Sequence, residues 1–166
     1  MNFDLSAIDA IIEIPKGSDK KYELEGGVFR LDRILKLPFP QNYGSFPHTL
    51  GEDGDPLDVV VVAPYPIGSN THVCVRVIGM MEMVDGGEND HKIIAVPASN
   101  VDSSMDNVRR LEDLDHHVLP GLKVFFLTYK PLHKIVEVGD FVGLGSAHKV
   151  VLESIKRFKN TPKTTE

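Results

Sequence analysis

Three carboxylates fall within six residues in the run Asp53-Gly54-Asp55-Pro56-Leu57-Asp58, which leads straight into Val59-Val60-Val61-Val62. In extended backbone, side chains two residues apart share a face, so Asp53 and Asp55 can converge. Gly54 opens dihedral angles closed to other residues, and Pro56 fixes a bend that can swing Asp58 towards the same spot. Two bare carboxylates ~4 Å apart repel by about 4 kcal/mol at an effective dielectric of about 20. Such a cluster calls for cations, protons or water, and its oxygen donors suit magnesium, manganese or calcium better than zinc. The same run also reads as a solvated Asp/Gly/Pro turn. An EF-hand is excluded. Counting Asp53 as the first loop position, the sixth is Asp58 rather than glycine and the twelfth is Pro64 rather than glutamate.

Further acids recur along the chain at Glu13, Glu23, Asp85 and Asp90, with Lys21, Arg33 and Lys92 close beside them in sequence. Tyr43 lies in a Pro- and Gly-rich stretch, and Tyr129-Lys130 ends an apolar segment. Each taken singly reads equally as a solvated charge or a strand-face neighbour. Together they form two complementary sets, acids to hold metal ions and Lys, Arg and Tyr to hold a compact oxyanion. Phosphoryl transfer needs both, because charge on the transferring and leaving groups must be neutralised. No phosphate-cradling glycine loop ending in Lys-Ser/Thr is present, which argues against nucleotide hydrolysis by that route.

The order and spacing of these residues resemble the family I soluble inorganic pyrophosphatases of the short, prokaryotic type. The resemblance rests on Ile12-Glu13-Ile14-Pro15, Lys21-Tyr22-Glu23, Asp32-Arg33, Asn42-Tyr43-Gly44, His48-Thr49-Leu50, the Asp53 to Asp58 run followed by Val59, Asp85 with Asp90 and Lys92, Ala95-Val96-Pro97 and Tyr129-Lys130. It implies Mg²⁺-dependent hydrolysis of pyrophosphate to two phosphates, with Mn²⁺ as another usable ion. It further implies that Asp53, Asp58 and Asp90 bind the metals that activate water, with Asp58 bridging. Asp85 would join Asp90 on a metal that arrives with substrate, and Glu23 would support another through water. Asp55 would accept a proton from the attacking water. Lys21, Arg33, Tyr43, Lys92, Tyr129 and Lys130 would grip the two phosphoryl groups, and Glu13 would order water and metals around them. Assembly of identical subunits, as a hexamer, is implied as well. The sequence departs from the family pattern at Phe39, where a tyrosine is common.

The elements that must position these residues are legible in outline. Strands are expected over residues 7–15, 21–24, 28–34, 58–63, 71–83 and 91–96, with Gly26-Gly27 a hairpin turn and Gly79 a bulge. Residues 37–50, punctuated by Pro38, Pro40, Gly44 and Pro47, read as a loop, and residues 85–90 as another. Helices are expected over 107–117, 119–129 and 148–159, followed by a polar tail. Many short strands followed by a few helices predict an α+β fold built on a small closed β-barrel. It would be OB-like with about five strands, flanked by helices mainly from the second half of the chain.

At 166 residues the chain fits one domain, residues 1–166, with ordinary hydrophobic (42%) and charged (25%) content. A net charge of −6 argues against a sequence-tolerant nucleic-acid binder, while a small anionic substrate remains compatible through metal ions. The alternatives are a nucleic-acid-binding barrel, which the acidic loops oppose, and a divalent-ion module without chemistry, which leaves Lys21, Arg33 and Lys92 unexplained. The one cysteine, Cys74, falls in a strand pattern and is expected to be a buried structural thiol. With neither a secretory signal pattern nor an apolar run of the roughly 20 residues that span a bilayer, a cytoplasmic protein without membrane partners is expected.

Overall fold

The computed structural model of the chain describes residues 4–131 and 134–163; the very N-terminus and the end of the polar tail lie outside the described residues. The first strand, β1 (Ile8–Ile14), is the β-branched segment expected there. β2 (Lys20–Glu25) and β3 (Val28–Ile34) form a hairpin turned by Gly26 and Gly27 at φ +54° and +78°, which suits a tight two-residue loop. Then follow β4 (Asn42–Ser45), β5 (Asp58–Val61), the long β6 (Thr71–Asp85), the two-residue β7 (Glu88–Asn89) and β8 (Lys92–Pro97). Helix α1 (Val118–Thr128), strand β9 (Val136–Val142) and helix α2 (Leu144–Asn160) complete the chain.

β1 pairs with β4, β4 with β5, β5 with β8, β8 with β6, and β6 again with β1. The pairings of these five strands thus return to their start, a ring-like arrangement within a seven-stranded mixed sheet that β7 and β9 extend along β6. Among the described residues only the β5–β8 pair is parallel. The β2–β3 hairpin is a sheet of its own.

The valine run of β5 explains why the ring has a core on both faces. Val59 and Val61 enter an apolar cluster closed by Ala147, Val151 and Ile155 of α2. Val60 and Val62 enter a second cluster closed by Leu122, Phe125 and Phe126 of α1. A strand buried on both faces must be apolar at every position, so alternation is lost there. Each fully buried side chain of this size contributes roughly 1.5–3 kcal/mol. On α2 the inward residues recur at three- and four-residue spacing, the stripe a surface helix needs. Among the described residues no helix is long and apolar enough to cross a membrane.

Several expectations need correcting. Residues 37–50 are not all loop, because β4 lies within them and pairs on both sides. Gly44 makes this possible, since a Cβ there would sit 1.8 Å from the Ile11 carbonyl oxygen. Residues 107–117 form only a short 3₁₀ turn, Leu111–Asp113, rather than an amphipathic helix. The Asp113 carboxylate accepts the Arg109 and Arg110 amides at 2.9 and 3.0 Å, and Arg76 donates to the Met105 and Val108 carbonyls, both at 2.9 Å. Side chains therefore satisfy backbone groups that a helix would have paired. β9 was not foreseen, and α2 begins at Leu144 rather than at residue 148. Cys74 is half-buried rather than buried. The bulge expected at Gly79 is present as a register shift between Val77 and Gly79 against β8.

Candidate active site

Strand register brings Glu13, Ser45, Asp58 and Lys92 into one row across four strands. A register irregularity between Ile12 and Ile14 re-aims Glu13, whose carboxylate accepts the Ser45 hydroxyl at 3.0 Å. Ser45 is paired with Asp58 across β4 and β5, and the parallel match of Val59 with Ile93 sets Lys92 beside Asp58. The Lys92 ammonium, 1% exposed as a residue, lies 2.6 Å from Asp58 and 2.9 Å from Asp90. It also sits 5.7 Å and 5.8 Å from the ring centres of Tyr43 and Phe126. Burial alone would lower the pKa of Lys92, but the two carboxylates outweigh it and hold it above the usual lysine value. Its charge is therefore fixed at neutral pH. Glu13 behaves oppositely: burial, reinforced by the charge of Asp58, pushes its carboxyl from 4.5 up to about 7.

Of the two readings of the acid-bearing run, extended or turn, the structure has the turn. The Asp53 carboxylate accepts the Asp55 amide at 3.1 Å, and the Gly51 amide donates to the Asp55 carbonyl at 2.7 Å. Gly54 takes φ +89°, a left-handed value open to glycine, while the Asp55 side chain stands exposed. Burial, offset by that amide bond and reinforced by Asp58 and Asp55, raises the Asp53 pKa. Asp53, Asp58 and Asp90 line a cleft of about 130 Å³ whose far wall is α2. Asp85 is not with them, because it pairs with Lys130.

The cationic residues gather nearby from different elements. Lys21 and Arg33 are cross-strand partners on β2 and β3. Lys21 lies 3.0 Å from Glu23 and 3.5 Å from Asp32. Arg33 reaches Asp32 only at 3.9 Å, and its buried Nε has no hydrogen-bond partner among the described residues. Burial lowers the Lys130 pKa, and Lys21, Arg33 and Lys134 lower it further, which marks one electropositive region. Tyr43 and Tyr129 are buried phenols, Tyr43 raised well above 10 and Tyr129 to about 12, burial being the main cause in both. Both remain hydrogen-bond donors at neutral pH. Phe39, 2% exposed, packs against both tyrosines and against Phe125 at 4.4 Å between ring centres.

Sequence reasoning passed over Ser45 and gave Asp32 no role. Ser45 lies two residues beyond Tyr43, a signal visible only once β4 is recognised. Asp32 stands next to Arg33 at the register shift of the hairpin, which brings its carboxylate within 3.5 Å of Lys21.

Among the described residues, no three His, Cys, Asp or Glu side chains converge tightly enough to enclose an ion by themselves. The donors fit a hard divalent cation in another way. Asp58 and Asp90 share the buried Lys92 ammonium, and Asp53 and Glu13 lie near enough for the charge of Asp58 to raise their pKa, so carboxyl groups outnumber the ammonium. Mg²⁺ is ordinarily held by one or two carboxylates with waters and substrate phosphates making up the rest. Dispersed acids around a polar cleft meet that requirement.

Residues 10–159 match the family profile described as inorganic pyrophosphatase. The chain is 43% identical to the inorganic pyrophosphatase of Geobacillus stearothermophilus over 163 residues, covering 95% of this chain and 98% of that protein. It is 40% identical to that of Nanoarchaeum equitans over 154 residues, covering 90% and 96%. The solved structure of the Helicobacter pylori inorganic pyrophosphatase superposes with a TM-score of 0.91 at 37% identity, covering 96% of this chain and 97% of that one.

Proposed function

The chain belongs to the inorganic pyrophosphatase family, hydrolases that act on pyrophosphate, and on that premise we propose Mg²⁺-dependent hydrolysis of pyrophosphate to two orthophosphates by direct attack of water. The observation that carries this reading is the meeting of two opposed charge sets at one place. Acids on β5, on the turn before it and before β8 face a cleft, and cations from the hairpin, β8 and the end of α1 gather beside them.

In this reading Asp53, Asp58, Asp85 and Asp90 would hold divalent ions, and Glu23 would support them through water. Bound there, Mg²⁺ or Mn²⁺ supplies Lewis acidity, lowering the pKa of water towards ~7 and neutralising phosphoryl charge. Asp55, exposed on its turn, accepts the proton of the attacking water. Lys21, Arg33, Lys92, Tyr43, Tyr129 and Lys130 hold the phosphoryl oxygens. Lys92 keeps its charge and both tyrosines keep their protons at neutral pH, so each can donate to a developing anion. The buried, unpartnered Nε of Arg33 has a donor left for an oxyanion. Glu13, held by Ser45, orders water around the acids.

The family assignment also supports reading the strand ring as a small closed barrel, residues 1–166 as one domain, and the setting as cytoplasmic. Assembly of identical copies, as a hexamer, is proposed from the family resemblance alone. Phosphate release from pyrophosphate with Mg²⁺, and its loss in EDTA, tests the activity. No release with any of several divalent metals would refute it.

A further inference from the structure

We infer that Arg157 of α2 is a positioning residue for the acid-bearing turn, acting through the backbone of Leu50. The inference rests on the reading above, in which Asp53 and Asp58 hold metal ions.

The turn is closed on itself. Beyond the Gly51 and Asp53 bonds already described, the Gly54 amide donates to the Gly51 carbonyl at 3.2 Å. Such a loop can move as a unit unless something outside it fixes its ends. The C-terminal end is fixed by the sheet: the Leu57 amide donates to the Thr49 hydroxyl at 3.0 Å, and the Leu57 carbonyl accepts the Phe46 amide at 3.0 Å. The N-terminal end is fixed by α2. The Leu50 amide donates to the Ser154 carbonyl at 3.0 Å, and the Leu50 carbonyl accepts from Arg157 Nη1 at 2.6 Å. Both polar groups of one loop residue therefore bind one turn of helix, just before the turn that carries Asp53. His48, held at φ +60°, sets its ring edge-on to Phe158 with centres 5.5 Å apart.

Arg157 is the one charged side chain among the bonds described at the two ends of the turn, and charge-assisted hydrogen bonds are the stronger kind. It is half-buried and lines the same cleft as Asp53, Asp58 and Asp90. A bond made only for stability could lie anywhere on the helix. This one sits three residues from a proposed metal ligand, where outer contacts orient the ligating group and typically change metal affinity 10–100-fold.

The test compares wild type with Arg157→Ala and Arg157→Lys; the lysine can still donate to the Leu50 carbonyl. Arg157→Met, which keeps the packed stem and lacks the donor, replaces the alanine variant should that fail to fold. Amide exchange of residues 50–58 is followed in metal-free protein, Mg²⁺ binding by calorimetry without substrate, and activity as kcat against Mg²⁺. Loss of the donor should speed exchange of residues 50–58 about tenfold or more, the scale of one hydrogen bond to a charged group. The ring strands should exchange as before. The Mg²⁺ midpoint should rise about tenfold, with KM for pyrophosphate unchanged at saturating Mg²⁺, and lysine should restore most of both losses. A variant that melts earlier yet keeps wild-type loop exchange and Mg²⁺ midpoint would overturn the inference and leave Arg157 a stabilising contact. A wild type that neither binds Mg²⁺ nor releases phosphate would overturn the reading beneath it instead.

Discussion

Glu13 should weaken the metal-free protein at neutral pH. Its carboxyl is raised from 4.5 to about 7, chiefly by burial and next by Asp58. The folded state therefore holds a proton on Glu13 over a range where the unfolded chain has lost it. Stability from this group is full below about pH 4.5, falls as pH rises towards 7, and stays low above that. A shift of this size corresponds to about 3 kcal/mol, at 1.36 kcal/mol per unit. Glu13→Gln removes the titration and keeps an oxygen to accept the Ser45 hydroxyl. In EDTA the variant should be more stable than wild type by about 3 kcal/mol at pH 8, and by less than about 1 kcal/mol at pH 5. Denaturant unfolding of both proteins at the two pH values measures this. Equal differences at pH 5 and pH 8 would refute the reasoning, because any gain would then come from packing rather than from charge.

The three acids of the turn should respond differently to neutralisation. Asp53→Asn and Asp58→Asn should weaken Mg²⁺ binding and recover activity at higher Mg²⁺, while Asp55→Asn should lower kcat about 10²–10⁴-fold with metal affinity kept. Mg²⁺ titrations of kcat and calorimetry separate the two patterns, and an Asp55→Asn enzyme rescued by Mg²⁺ would remove Asp55 as the base. Lys92→Met leaves Asp58 and Asp90 without their buried partner, so metal-free stability should fall by about 3–5 kcal/mol. Added Mg²⁺ should return part of it, and a melting temperature indifferent to Mg²⁺ would contradict the account. Phe39→Tyr places a hydroxyl within a packed aromatic group and should cost about 1–3 kcal/mol with KM unchanged. A tighter KM at undiminished melting temperature would mean that the hydroxyl reaches substrate.

The residues proposed for the site were easier to pick out in the sequence than the scaffold that gathers them. Asp53 to Asp58, the paired Lys21 and Glu23, and Lys92 two residues after Asp90 are close in sequence, so local chain geometry keeps each set together. The scaffold depends on partners distant in sequence. β4 reads as loop because its glycine serves the close approach of Ile11, a demand set by another strand. β9 is broken by Gly139 and Asp140 and exists through its pairing with the far half of β6. The closing β1–β6 pair leaves no local mark on either strand. The expected helix at residues 107–117 failed for a related reason, since Arg76, thirty residues earlier, takes the carbonyls it needed.

The separateness of the β2–β3 hairpin divides the protein into parts that can change independently. It joins the ring through a narrow base, where Gly17 donates to the Phe39 carbonyl at 2.8 Å, Phe39 to the Ser18 carbonyl at 2.9 Å and Leu35 to the Asp19 carbonyl at 2.7 Å. Lys21 and Arg33 ride on this ribbon, whereas Asp53, Asp58 and Asp90 belong to the ring and its turns. A two-stranded ribbon is barely stable alone, so any exchanged version must keep those three base bonds. Within that limit its length and charge are open to redesign. On the roles proposed above for Lys21 and Arg33, exchanging the ribbon should change which phosphoanhydrides are accepted while the carboxylates proposed to hold the cation stay as they are.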